Sequence, residues 1–394
     1  MRKLKKIFLF VVFFLVGTSV CFAKEKSNTG NDEANKQMAS NAKSAIMIEA
    51  STGKILYEKN KDDKLPMASM TKMMTLLLIM EEIDAGRLKW NEMITTSEHA
   101  ASMGGSQIFL EVGEQMSVED LVKGICIASG NDASVAMAER IGGTEEKFVA
   151  LMNQKAETLG LKNTHFENAC GLDSDNHYSS ANDMSVIARE LVKHKKILEF
   201  SGTYEDYLRK NTEKSFWLVN TNKLVRYYQG VDGLKTGYTK EAGYCITTTA
   251  KRSNMRLITV VMGEPSSAVR NSETAEMLNY GFNTYEVSTL IDKNMKLKKQ
   301  KVLMGKKDSV EIVPLSSVEF LNQKAQENKK VSYQLEVSEL KAPVKVGDKV
   351  GKIKIIEEGK VIKEVGVTVK ENVEKMNLLM VYYQEFLGMM KGSL

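Results

Sequence analysis

The spacing of apolar and polar positions changes several times along the chain, and each change marks an expected element. Ala45-Ile46-Met47-Ile48 and Ile55-Leu56-Tyr57 flank the turn residues Ser51-Thr52-Gly53-Lys54 and predict a β-hairpin. The apolar run Met73 to Ile83 predicts a largely buried helix, with Pro66 and Ser69 as start signals and Gly86 as the stop. Val118, Leu121, Val122 and Ile125 repeat at three and four and predict a helix over Val118 to Ala128; a second helical pattern opens at Asp132. Ser180 is expected to cap a helix from Asp183 to Lys193, and periodicity then weakens between 201 and 230. Two β-rich runs, Tyr244 to Ala250 and Leu257 to Met262, are joined by Arg252-Ser253-Asn254-Met255 and predict adjacent antiparallel strands. A helix from Ser272 to Asn283 follows. Hairpin, helices, then strands is the order expected of an α+β domain over 41–285, with helices packed on a mainly antiparallel sheet.

The pattern shifts again beyond that helix. From Met295 to Val369 the chain alternates, as in Val310-Glu311-Ile312-Val313 and Val365-Gly366-Val367-Thr368-Val369, which predicts a small all-β domain over 290–370. Between Met376 and Met390 apolar side chains cover most of a helix and Asn377, Gln384, Gly388 and Lys391 form a narrow polar edge. That segment, within 372–394, is too short to span a bilayer and is expected to lie in a membrane interface as an anchor; docking on the β-domain or in a dimer is the other reading.

Composition and charge alter the picture mainly at the N-terminus. Arg2, Lys3, Lys5 and Lys6 precede the apolar run Ile7 to Val16, and Cys21-Phe22-Ala23 supplies a small-residue end, so 1–23 reads as a secretory signal peptide. Residues 24–40 are polar and read as a disordered leader. Removing the four basic residues of the signal reduces the net charge from +5 to +1, which gives no reason to expect nucleic acid as a partner. Cys126, Cys170 and Cys245 then remain, an odd number without a close pair, and no Cys/His cluster has zinc spacing. No cofactor is expected, and the chain should act on the outer face of the cytoplasmic membrane.

Against this framework, three short motifs are chemical candidates. Ser69-Met70-Thr71-Lys72 places a hydroxyl and an ammonium three apart, so that on a helix they share a face and the amine can activate the serine. Ser-x-x-Lys also occurs at Ser40-Lys43, Ser51-Lys54 and Ser338-Lys341, but Ser69 alone opens an apolar helix. Ser129-Gly130-Asn131 sits in the turn between two predicted helices, where a glycine C-cap followed by an Asn or Asp N-cap is the simpler reading. Ser180-Ala181-Asn182 repeats the pattern at a helix start. Lys235-Thr236-Gly237 precedes the strand Tyr244 to Ala250 and is expected to open or border it, with glycine permitting close approach of a ligand.

Taken together and in this order, the three motifs resemble those of the serine D-alanyl-D-alanine carboxypeptidases, the low-molecular-mass penicillin-binding proteins. The resemblance is carried by Pro66-Met67-Ala68-Ser69-Met70-Thr71-Lys72, Ser129-Gly130-Asn131-Asp132-Ala133 and Gly233-Leu234-Lys235-Thr236-Gly237-Tyr238-Thr239. It implies a β-lactamase/transpeptidase-like catalytic domain followed by a small β-domain. It also implies a peptidoglycan stem peptide ending in D-Ala-D-Ala as substrate, and β-lactam antibiotics as covalent inhibitors. Ser69 would be the nucleophile, Lys72 its base, Ser129 the proton relay with Lys235 behind it, and Asn131 an amide facing the substrate. Backbone N–H groups of Ser69 and Tyr238 would form the oxyanion hole. Thr236, Gly237, Tyr238, Thr239 and Arg270 would bind substrate, the hydroxyls and the guanidinium at its carboxylate. A class A β-lactamase shares the motifs but needs a carboxylate for its deacylating water, for which Glu167 is the candidate. A non-catalytic penicillin-sensing or wall-binding module is the remaining alternative.

Overall fold

The computed structural model describes residues 38–325 and 331–377. Its centre is a five-stranded antiparallel sheet of β1 (Ser44–Glu49), β2 (Ile55–Lys59), β3 (Val231–Thr239), β4 (Gly243–Arg252) and β5 (Met255–Glu264), in the order β2-β1-β5-β4-β3. The N-terminal hairpin is thus joined to a C-terminal hairpin through β1 and β5, with Ser44 opposite Met262 and Glu49 opposite Leu257.

Successive side chains on a strand point to opposite faces, and here both faces are covered. Ile46 and Ile48 with Ile258, Val260 and Met262 join one apolar cluster, while Ala45 and Met47 with Leu257 and Val261 join another. The first cluster contains α1 (Lys72–Asp84), α2 (Asn131–Gly142), α3 (Glu145–Thr158) and α4 (Ala181–Leu191); the second is closed by α5 (Ser267–Thr284). Helix α1 is buried almost all round and runs through the middle of the first cluster. Strand β3 ends the sheet, and its free edge borders the short 3-10 turn Ala68–Thr71 that precedes α1.

Most expected elements are present, with informative differences. Lys235-Thr236-Gly237 does not open β4; it lies inside β3, a strand of its own, with Gly237 opposite Cys245. The expected helix over Val118 to Ala128 is α-helical only to Lys123 and continues as a π turn from Gly124 to Ala128. That wider turn brings the Ser129 and Gly130 N–H groups onto the Gly124 carbonyl, a geometry often found at functional sites. Helix α5 starts at Ser267, five residues before the expected start, because Ser266 caps it by accepting a bond from the Val269 N–H. Arg270 therefore sits in its first turn. Helix α3 was not expected from the pattern, although Thr144 caps it and Phe148, Met152 and Ala156 recur at four. The weakly periodic stretch holds two short paired strands, Glu205–Leu208 and Phe216–Val219, each with little buried surface.

The reading of 24–40 as disordered is corrected at its end. Met38 and Ala39 are buried in the second cluster, the Met38 carbonyl accepts from Tyr57 Oη at 2.5 Å, and Ser40 and Asn41 donate to Glu273. One methionine, one alanine and a set of hydrogen bonds suffice to order a segment that composition alone marks as polar. The expected signal peptide over 1–23, the rest of the expected leader and the segment beyond Asn377 lie outside the described residues.

Past α5 the chain enters a six-stranded sheet with Val310, Ile312, Ile353, Ile355, Val367 and Val369 in a third apolar cluster. A separate two-stranded antiparallel sheet pairs Tyr285–Ile291 with Val318–Gln323, and its Tyr285 and Leu321 pack into the cluster under α5.

The contact of α5 with the sheet makes a specific demand at Gly281, where a Cβ would stand 2.5 Å from Leu257 Cδ1 and 2.9 Å from Met47 Sδ. Gly281→Ala should lower stability by about 1–3 kcal/mol through overpacking, measured by thermal or urea unfolding. An unchanged or raised midpoint would show that the helix moves away from the sheet without cost.

Candidate active site

Ser69 lies in the turn Ala68–Thr71, one residue before Met70 and three before the first residue of α1. Lys72 is wholly buried at that helix start, and its Nζ lies 2.9 Å from Ser69 Oγ, 2.7 Å from Asn131 Oδ1 and 2.6 Å from the Cys170 carbonyl. An ammonium fills all three positions with its three N–H bonds. A neutral amine has two N–H bonds and a lone pair. Two of the three acceptors are fixed oxygens that can only accept, so in the neutral form the lone pair faces the one partner able to donate, Ser69 Oγ. Burial lowers the Lys72 pKa to about 8, against the weaker opposing effects of Cys170 and Asp132.

Asn131 is held at the first position of α2, and its amide is used at both ends: Oδ1 accepts from Lys72, and Nδ2 donates to the Gly104 carbonyl at 2.6 Å. Exchanging O for N would break both contacts, so the amide orientation is determined. The Asn131 side chain is therefore neither a helix cap nor, as placed here, a free amide facing substrate. Nor is Gly130 the left-handed residue of this turn; that is Ser129, at φ 65°. A serine in that conformation is strained, and its Oγ is buried without a hydrogen-bond partner among the described residues. Asp132 holds the adjoining loop by accepting from the Ile108 and Leu110 N–H groups.

Lys235 comes from β3, is only 1% exposed, and donates to its own residue's neighbour, the Thr236 carbonyl, at 3.1 Å. Burial pulls its pKa well below the ordinary value, with the charges of Lys72 and Arg270 acting in the same direction. Three basic side chains thus crowd one dry region, and an anion arriving there would favour their charged forms. Thr236 Oγ1 donates to Thr221 Oγ1, and the Thr221 N–H reaches the Ile127 carbonyl, tying β3 to the π turn before Ser129. Gly237 is needed for a reason different from the expected one. A Cβ there would stand 2.8 Å from the Met67 carbonyl and 3.1 Å from Ser69 N, so it makes room for the serine's own backbone.

The other expected residues are less uniformly placed. Tyr238 is exposed and its ring stacks on Tyr244 with centroids 4.3 Å apart. Thr239 Oγ1 donates to Asp173 across the end of β3. Arg270 is buried rather than superficial; it donates to Asn271 Oδ1 and to the Cys245 carbonyl, the residue opposite Gly237. Glu167 is exposed, and its carboxylate accepts from Ser174 Oγ and the Asn176 N–H within its own loop. It is thus committed away from Lys72.

The segment 166–177 supplies what the motifs do not reveal. Asn168 Oδ1 accepts from the N–H groups of Cys170, Gly171 and Leu172, which aims the Cys170 carbonyl at Lys72. The Ala169 carbonyl accepts from Thr75 Oγ1 on α1. His177 reaches Thr71 through Nε2 at 2.7 Å. The bonds from Lys72 to Cys170, Thr75 to Ala169 and His177 to Thr71 each join positions about a hundred residues apart, which no local pattern in the sequence signals.

Comparison with known proteins places this arrangement. Residues 31–266 match the family described as D-alanyl-D-alanine carboxypeptidase, and residues 285–375 match the C-terminal domain of penicillin-binding protein 5. The chain is 47% identical to the D-alanyl-D-alanine carboxypeptidase DacF of Bacillus subtilis over 96% of each chain. Among solved structures, penicillin-binding protein 5 from Haemophilus influenzae is 32% identical with a TM-score of 0.68, covering 86% of this chain and 98% of its own. Penicillin-binding protein D2 from Listeria monocytogenes, in its cefotaxime-bound form, is 32% identical with a TM-score of 0.56 over 61% of this chain and 97% of its own.

The geometry at Lys72 predicts its titration. NMR of reductively methylated protein, with Lys72→Arg for assignment, should show one lysine titrating near pH 8. Asn131→Asp places an anion at the 2.7 Å position and should raise that midpoint by about 1–3 units. A Lys72 signal that titrates at the ordinary lysine value in both proteins would refute the buried amine.

Proposed function

This chain belongs to the D-alanyl-D-alanine carboxypeptidase family, and we propose that it removes the terminal D-alanine of peptidoglycan stem pentapeptides through an acyl-enzyme on Ser69. The observation that carries the assignment to Ser69 is the Lys72 amine, 2.9 Å from the serine hydroxyl, with its other two positions taken by fixed acceptors. Ser69 Oγ gives its proton to neutral Lys72 and attacks the carbonyl between the two D-alanines. The carbonyl oxygen becomes anionic and is met by the N–H groups of Ser69 and Tyr238, a stabilisation of several kcal/mol in such sites, about 3–4 for one donor. The C–N bond then breaks. The leaving amine takes the proton that Lys72 received, passed on through the Ser129 hydroxyl, whose unpartnered Oγ suits a relay, with Lys235 nearby, and Lys72 is neutral again. Water hydrolyses the ester and restores the enzyme.

The substrate carboxylate is anionic and matches the basic region of Lys235 in charge, while the hydroxyls of Thr236 and Thr239 bond it by turning away from Thr221 and Asp173. Arg270 adds its field to that region, with three of its five N–H bonds directed to Asn271 and Cys245. A β-lactam presents a strained amide to the same serine, in keeping with the cefotaxime-bound relative, and acylates it. Glu167 being engaged in its own loop favours the carboxypeptidase over a class A-like β-lactamase, which would need that carboxylate at the deacylating water.

The decisive test is mass spectrometry of muropeptides after incubation with the protein. Loss of one D-alanine from pentapeptides is expected, without cleavage between stems, and Ser69→Ala should abolish both that activity and covalent labelling by fluorescent penicillin. Labelling that survives Ser69→Ala would sink the assignment.

The basic and apolar N-terminus supports export, with action at the outer face of the cytoplasmic membrane, and the amphipathic pattern between Met376 and Met390 supports interfacial anchoring. A chain truncated before Met376 should leave sedimenting vesicles while still binding penicillin. Continued sedimentation of the truncated protein would remove the anchor from this account.

A further inference from the structure

The peptide between Ala68 and Ser69 is the most constrained unit in the site. Ala68 has φ 47°, a left-handed conformation that costs a non-glycine residue of order 1 kcal/mol or more. Something must hold it there. Thr71 Oγ1 donates to the Ala68 carbonyl at 2.8 Å and, having spent its one proton, accepts from His177 Nε2 at 2.7 Å. The opposite ring nitrogen, Nδ1, accepts from the Glu167 N–H at 2.9 Å, which fixes the tautomer with the proton on Nε2. Burial lowers the histidine pKa to about 4, so the ring is neutral across the ordinary working range. Gly171 closes the other side, since a Cβ there would collide with the Ala68 carbonyl oxygen.

A peptide is planar and trans, so its C=O and N–H point in opposite directions. Fixing the Ala68 carbonyl therefore fixes the direction of the Ser69 N–H. That nitrogen borders β3, 3.1 Å from where a Gly237 Cβ would stand. We propose that His177 is a positioning residue for the oxyanion hole: through Thr71 and the Ala68 carbonyl it aims the Ser69 N–H at the developing negative charge. The inference rests on the reading of Ser69 as nucleophile and oxyanion donor. His177 touches neither substrate nor the reacting atoms, and its effect belongs to the transition state, where the oxyanion exists.

The test measures kcat and KM for D-alanine release from a D-Ala-D-Ala peptide with the full chain, alongside melting temperatures. His177→Ala and the nearly isosteric Thr71→Val should each lower kcat about 10- to 100-fold while KM changes less than about threefold, because a misaimed donor is lost only in the transition state. His177→Gln, which keeps an acceptor and a donor, and Thr71→Ser, which keeps the hydroxyl, should recover most of the loss. Unchanged kcat in folded His177→Ala or Thr71→Val overturns the proposal. So does a loss that follows melting temperature equally in all four variants, or failure of both truncated variants to fold, since the pair would then be merely structural. Ser69→Ala separates the two levels: if it retains activity the functional reading itself fails, whereas an inactive Ser69→Ala beside a normal His177→Ala removes only the positioning role.

Discussion

The structure is organised by the need to keep one amine dry and surrounded. Lys72 stands at the start of a helix buried almost all round, and its pKa near 8 corresponds to about 3 kcal/mol of preference for the neutral form relative to an ordinary lysine. A buried amine with nothing to bond would be destabilising, so the Ala68–Thr71 turn, α2 and the 166–177 segment must each bring an oxygen or a hydroxyl to the same point. The packing of the first apolar cluster can be read as the frame that makes those three approaches simultaneous. The second charge, on Lys235, comes from the sheet and completes the field without touching the first amine.

Local chemistry in this chain was legible, and long-range pairing was not. Ser69 and Lys72 are three apart, so their contact follows from helical spacing and can be anticipated from the chain alone. The apolar runs of β1 and β5, the cap at Ser180 and the turn at Ser253 are likewise local and appear as expected. The nine residues from Val231 to Thr239 do not alternate cleanly, since glycines replace side chains at Gly233 and Gly237, so the strand that holds Lys235 has no clear pattern of its own. The strand is nevertheless specified, by pairing with β4 on one side and by the serine turn on the other.

The roles of Asn131, Ser129 and Cys170 illustrate the remaining gap. Asn131 looks like a cap by position, yet its amide is drawn off to Lys72 and Gly104, two groups no neighbour in sequence reveals. Ser129 looks like the residue before a glycine turn, yet it takes the left-handed conformation itself, following a π turn that periodicity cannot distinguish from an α-helix. Cys170 contributes its carbonyl and not its thiol, which burial keeps protonated. Backbone groups have no signature in a sequence, and half of this site is backbone.

The sheet order leaves β3 with one unpaired side, and an unpaired strand edge is ordinarily an invitation for another chain to add itself. Here the Ala68–Thr71 turn stands against that edge at Gly237, closer than any side chain would permit. The turn that puts the Ser69 hydroxyl beside the strand thus also occupies, at Gly237, the edge on which an added strand would have to lie.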